Sequence, residues 1–303
     1  MLFAMHMPDH VLSTEVAGVT AVIAAMCAAW AWHKTRSNDS AAASLPGIRN
    51  TALVAALVFA GQMVNFAIPG MEISGHFLGA ATAGLLLGPW RSAAVLTVVL
   101  LVQCLAFGDG GLTALGANVL NMAIIGVGAA CLVRRAFGGD QLSPTRRTVM
   151  LATAGFASVL FAATACSIEL ALCGATNAVA PLLLHHLAIG VVEAGLTLVL
   201  VTALQPRGTE AASPQRTMGI AAAFTLVGIM LSPWASPLPD GLDAALSALN
   251  LSEAAGVWTA PLADYAAPAG ILNDGVAATL LIAALGTLCT FVITSAAARL
   301  AQR

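Results

Sequence analysis

Long apolar runs broken by short polar stretches set the pattern of this chain. A helix crosses a bilayer in about 20 mostly apolar residues. The runs give nine candidate spans, at 12–32, 50–68, 75–90, 92–107, 112–133, 148–172, 178–204, 216–235 and 275–298. The third and fourth are short and meet at Gly88-Pro89-Trp90-Arg91, a turn with an interfacial Trp. The fifth follows Gly108-Asp109-Gly110-Gly111, a loop expected at membrane depth or at its edge. Irregular backbone survives there only where protein or a cavity shelters it. The expected fold class is all-α, a polytopic membrane helix bundle. Seven helices with short loops fill a first domain, 1–205. A second, 206–303, opens with a basic linker ending at Arg216 and holds two helices around an outward, partly ordered loop, 236–274.

Composition sharpens this picture. The 303 residues are 59% hydrophobic and 9% charged, against about 25% charged in a soluble domain. A soluble protein is excluded. The placement of charge gives orientation. Lys34, Arg36, Arg49, Arg91, Arg134, Arg135, Arg146, Arg147, Arg207, Arg216, Arg299 and Arg303 all fall on one side of the nine spans. The positive-inside rule makes that side cytoplasmic. The expectation is a multi-pass protein of the cell inner membrane, with its N-terminus outside and its C-terminus inside. Asp9, Glu72, Asp109, Asp240, Asp243, Glu253 and Asp264 fall on the outer side. No basic tract suits nucleic acid. The six cysteines show no C-x-x-C spacing and read as small packing residues.

Motifs for chemistry are few. There is no G-x-x-x-x-G-K-[ST], no G-x-S-x-G and no H-E-x-x-H, so neither ATP hydrolysis by that route nor those enzyme classes fit. His6 lies in Met5-His6-Met7-Pro8-Asp9-His10, before the first span. Alone it reads as an exposed histidine. If the mature chain begins at Met5, a free amine, the amide nitrogen of residue 6 and its imidazole can chelate one ion in unstrained five- and six-membered rings. Planar nitrogen ligation suits Ni(II) or Cu(II), whereas zinc prefers a tetrahedron. His76, at the outer start of the third span beside Gly75 and Gly79, is the candidate for a fourth ligand; its other reading is a helix-start histidine bonded to water. Asn65, Asn118 and Asn121 either orient a ligating imidazole or join helices. His185 and His186 point about 100° apart on a helix and read as packing residues. Glu193, deep in the seventh span, reads as a structural carboxylate.

These stretches resemble the CbiM/NikM family, the S components of cobalt and nickel energy-coupling-factor (ECF) importers. The resemblance is carried by Met5 to Asp9, by Ser74-Gly75-His76-Phe77-Leu78-Gly79, and by the long run Phe107 to Met122, with Ala188 to Gly195 also similar. It covers about residues 5–205. Pro239-Asp240-Gly241-Leu242-Asp243 is similar to the PDGLE motif of the small N-type subunit, with Asp243 in place of Glu, so the chain looks like a fusion of the two. The resemblance implies a metal site of Met5, His6 and His76, and Ni2+ or Co2+ as transported substrate. It also implies a transmembrane T component (CbiQ/NikQ-like) and cytoplasmic ATPase subunits (CbiO/NikO-like) as partners. Four residues, Met1 to Ala4, precede Met5 and deny it a free amine; they are too few for a signal peptide, and the expectation is a start at Met5.

Ala52, Ala56 and Ala60 offer either a close-packing face for the T component or a lipid-facing stripe. The rival function is a stand-alone secondary metal-ion carrier. It needs intramembrane carboxylates, for which Glu15 and Glu193 are the candidates.

Overall fold

Inside a bilayer the backbone must satisfy its own hydrogen bonds, so apolar runs become helices. The computed structural model describes residues 6–36, 47–139, 142–205, 214–249, 256–265 and 275–301. Its helices are α1 (Thr14–Arg36), α2 (Ile48–Gln62), α3 (Ala80–Leu87), α4 (Pro89–Val102), α5 (Leu115–Asn118), α6 (Val127–Ala136), α7 (Pro144–Leu172), α8 (Val179–Leu204), α9 (Pro214–Leu231), α10 (Gly241–Ser247) and α11 (Val276–Ala301). A π-helical turn, Gln103–Phe107, extends α4, and another, Val119–Gly126, joins α5 to α6. Among the described residues, seven helical stretches are long and apolar enough to cross a membrane. Exposed apolar side chains on α1, α8 and α11, such as Val22, Val191 and Leu288, present a surface suited to lipid.

Two expected spans are corrected. The second, 50–68, stops at Gln62. Beyond it Phe66–Ala67 (β1) pairs antiparallel with Ser74–Gly75 (β2), turning through Pro69-Gly70. Proline disfavours helix at the residue before it, and Gly70 takes a φ of 79°. The third, 75–90, shrinks to the eight residues of α3. At 1.5 Å per residue that is about 12 Å. All eight are buried, and a helix shielded by protein need not match the hydrocarbon thickness. His76 therefore lies in extended chain before α3, not on its first turn.

The helix ends sort charge into two poles. Lys34 and Arg91 line one cleft, and Trp90, Arg134 and Arg135 another. Arg147 donates to Gln205 at 3.1 Å at the same pole. His6, Asp9, Asp109, Asp240 and Asp243 gather at the opposite pole.

The C-terminal helices do not stand apart from the first unit. α2 packs most extensively against α11 and α9. Ala52, Ala56 and Ala60 are buried. A β-carbon on Gly228 of α9 would sit 3.0 Å from the Ala60 carbonyl oxygen. That face is covered by the chain itself, so it is neither a lipid-facing stripe nor a free docking face for a T component.

Candidate metal centre

The site begins with the chain entering from the N-terminus. Met7 is 1% exposed and is gripped on both backbone groups by Asn118. Its N–H donates to Oδ1 at 3.0 Å, and Nδ2 donates to its carbonyl at 3.1 Å. Gly111 donates to the same carbonyl at 2.9 Å. A β-carbon at Gly111 would fall on the backbone of Pro8 and Asp9, so only glycine lets the two segments touch. Asp9 then accepts from the Thr113 amide at 2.7 Å and hydroxyl at 2.6 Å, and from the Val257 amide at 2.9 Å. Burial alone would raise the pKa of Asp9, but these hydrogen bonds outweigh it and hold the carboxyl below its usual range.

This grip buries His6, 2% exposed. Its Nδ1 lies 2.8 Å from Asp109 Oδ1. A carboxylate accepts, so Nδ1 carries the proton. Nε2 is buried and has no partner among the described residues. Burial opposes protonation of His6, yet the charge and hydrogen bond of Asp109, helped by Asp240, raise its pKa above the usual imidazole value.

His76 arrives from β2. Ser74 anchors that strand to the C-terminal region: its N–H donates to the Pro239 carbonyl at 2.8 Å and its hydroxyl to the Leu238 carbonyl at 2.7 Å. On the other side of His76, Glu193 accepts from the Leu78 and Gly79 amides at 2.9 and 3.0 Å. Gln62 donates to the Leu78 carbonyl at 2.9 Å. The His76 ring is thus held between two fixed points. Its centroid stands 5.7 Å from that of His6, at 60°. Its Nδ1 lies 3.3 Å from the Phe77 carbonyl, which leaves Nε2 with a lone pair. Burial and the neighbouring His6 lower its pKa, so it favours the neutral, ligating form.

Both rings border a cavity of about 70 Å³. His186, Asn121, Cys166 and Asp240 also line it. His186 donates from Nδ1 to the Leu182 carbonyl at 2.8 Å, so it too leaves Nε2 free of that bond. His185 turns away and donates to the Gly241 carbonyl at 3.0 Å. Asp240 caps α10, accepting from the Leu242 and Asp243 amides at 2.8 Å each. Among the described residues, no three His, Cys, Asp or Glu side chains converge closely enough to hold an ion between them. His6 and His76 are therefore a partial ligand set.

The expected site residues fare differently. His6 and His76 come together. Met5 lies outside the described residues. Asn118 bonds the backbone of Met7 and Asn121 donates to Glu169 at 2.7 Å, so neither holds an imidazole. Asn65 accepts from the Ser236 amide at 2.8 Å through its backbone, tying the β1 end to the C-terminal region. The planar chelate also meets an obstacle. Its six-membered ring closes only through Nδ1 of His6, the atom that faces Asp109. Closing it exchanges that hydrogen bond for a metal bond. Sequence reasoning missed Glu169 as an intramembrane carboxylate, although it lies within the 148–172 run. It named Asp240 within the PDGLE-like stretch but not its place on the cavity, and it foresaw neither the cavity role of His186 nor the bond of Tyr265 to Asp109, because their partners are distant in sequence.

A polytopic helix bundle with imidazoles around a small cavity at one pole defines a membrane protein of the metal-transport class. The chain belongs to the CbiM family, described as "Cobalt uptake substrate-specific transmembrane region", whose profile matches residues 6–211. It is 33% identical to a putative fused nickel transport protein NikMN of Archaeoglobus fulgidus, over 93% of this chain and 97% of that one. It is 30% identical to the fused nickel transport protein NikMN of Rhodobacter capsulatus, over 93% and 96%. A crystal structure of a truncated transition metal transporter superposes with a TM-score of 0.57 at 29% identity, covering 66% of this chain and 98% of that one. The chain is a CbiM/NikM-type unit fused to a C-terminal NikN-like region.

Proposed function

We propose that the chain is the substrate-capturing membrane subunit of an ECF-type importer for nickel or cobalt ions. The convergence of His6 and His76 at one pole, with ring centroids 5.7 Å apart beside a small cavity, carries this reading. His6 takes the ion through Nδ1, which gives up its hydrogen bond to Asp109, because only that nitrogen closes the six-membered chelate ring with the His6 amide. His76 takes it through Nε2. Met5 supplies a further nitrogen, its α-amine, where the mature chain begins there. The names of the fused relatives favour nickel; the family description keeps cobalt as the second cargo.

The basic pole faces the cytoplasm of the inner membrane by the positive-inside rule, which puts the imidazoles at the outer face. Energy comes from separate subunits. No phosphate-binding loop is present in the sequence, so ATPase subunits (CbiO/NikO-like) and a T component (CbiQ/NikQ-like) supply the drive. The T component docks elsewhere than on Ala52, Ala56 and Ala60. A stand-alone carrier needs free intramembrane carboxylates. Glu193 is bonded to two backbone amides and Glu169 to Asn121, and Glu15 is exposed at the start of α1.

Metal content of the purified chain tests the site. Stoichiometric Ni2+ or Co2+ is expected in the wild type and its loss in both His6→Ala and His76→Ala, with the helical content unchanged. Stoichiometric metal in either variant removes that histidine from the site.

A further inference from the structure

The basic pole carries a groove that the metal site does not use. It opens between α1, α4 and α6 and holds about 860 Å³, within the range of about 300–1,000 Å³ typical of sites for small ligands. Its floor includes the buried side chains of Ala31, Ala93 and Val127. Its walls include Met26 and Trp30 of α1 and Leu132 of α6, all more than half exposed. Gly128 of α6 also lines it, and a β-carbon there would meet nothing within 4 Å. Of the seven candidate spans, the one formed by α1 is the least buried, so protein leaves this side of it open.

The mouth of the groove is basic. Arg134 and Arg135, in the last turn of α6, line it. Pro89 and Trp90, at the start of α4, join it to the small cleft lined by Lys34 and Arg91. Lys34 Nζ stands 5.3 Å from the centre of the Trp30 ring, so this cation is held over the groove's own wall. No acidic side chain lines either cavity. Tryptophan marks the headgroup level of a bilayer, and arginine and lysine are in excess on its cytoplasmic side. The groove therefore offers an apolar floor, indole walls and a cationic rim.

We propose that this groove binds one anionic phospholipid of the cytoplasmic leaflet. An acyl chain lies between α1 and α6, and the phosphate sits among Arg134, Arg135 and Lys34. Basic pockets between spanning helices on the cytoplasmic side suit such headgroups. A zwitterionic lipid brings its own cation to the same rim and loses that attraction. A protein helix would have to bring carboxylates to this depth, which is costly, whereas the leaflet supplies the anion itself. The bound lipid braces α1 where protein does not, and the other end of α1, at Thr14, follows the segment that carries His6. The proposal stands apart from the reading of the metal ligands.

The test uses the full chain, reconstituted with equal amounts of phosphatidylglycerol and phosphatidylcholine and then released into detergent for native mass spectrometry. One phosphatidylglycerol per chain should stay bound in preference to phosphatidylcholine. Gly128→Leu fills open space in the groove, so the thermal midpoint should hold while the bound lipid is lost. Arg134→Gln combined with Arg135→Gln keeps the groove and should lower retention by about fivefold per charge removed. A readout that needs no variant comes from phosphatidylglycerol brominated on its acyl chains. It should quench tryptophan fluorescence more than equally brominated phosphatidylcholine, and Gly128→Leu should erase the difference. Equal retention or equal quenching by the two lipids overturns the proposal, as does retention unchanged in Gly128→Leu. Where Gly128→Leu fails to fold, the arginine variant and the quenching of the wild type decide. A photocrosslinker at position 132 in the assembled importer separates the possible occupants. Capture of phospholipid is the expected result, and capture of a T-component helix overturns the proposal.

Discussion

At the scale of residues, the site is a set of backbone grips that place two rings. Glu193 is the clearest case. It accepts from the amides of Leu78 and Gly79, just after His76. Leaving a buried N–H without a partner costs about 1–3 kcal/mol, and Glu193→Ala leaves two. Its thermal midpoint should fall well below that of the wild type, with Glu193→Gln recovering part of the loss through its one acceptor oxygen; equal midpoints for all three would contradict the grip. Asp243 carries a pH signature. Burial, then the charges of Asp240 and Asp109, push its carboxyl up to about 8, and its Oδ2 has no partner among the described residues. A carboxyl raised in the folded state is neutral and harmless at low pH. It costs stability progressively as pH rises from its unfolded value toward 8, and the cost is complete above that. Asp243→Asn should therefore match the wild type at low pH, where both carboxyl states are protonated, and gain on it steadily until it unfolds later than the wild type near pH 9, as read by thermal unfolding across the range. His6 and His76 were legible in the sequence, since each sits in a short motif with few polar competitors. The places of Asp240 and Tyr265 in the site were not, because only the folded chain brings them beside residues far away in sequence.

At the scale of elements, the apolar pattern located the helices well where they are long and exposed to lipid. It overran at α2 and α3, where burial inside protein frees a helix from the bilayer thickness. Pro69-Gly70 did carry a turn signal, but an unbroken apolar stretch outweighed it. The loop of Gly108 to Gly111 was placed correctly at a span's edge, and the structure adds its purpose. It receives the N-terminal segment, with Gly111 against the backbone of Pro8 and Asp9. No side-chain rotation can relieve a β-carbon lodged against backbone. Gly111→Ala should displace that segment, lowering metal affinity by about tenfold or more, while circular dichroism keeps the helical signal. Unchanged affinity would show that the N-terminal segment does not need this contact.

At the scale of the molecule, two regions that read as separate in sequence share one site and one core. The linker and the small-residue stripe on α2 suggested a free face, and α9 and α11 cover it. The outer loop of the C-terminal region holds the His76 strand through Ser74 and the N-terminal segment through Asp9 and Val257. Charge segregation was visible from the sequence because it depends only on the order of spans. The intramolecular cover was not, because apolar faces look alike whether they meet lipid or another helix. The central claim is that His6 and His76 together bind the transported ion. X-ray absorption of the full chain loaded with one equivalent of Ni2+ tests it most directly. The account predicts outer-shell scattering from two imidazoles. A first shell of oxygen alone, without imidazole scattering, would contradict it.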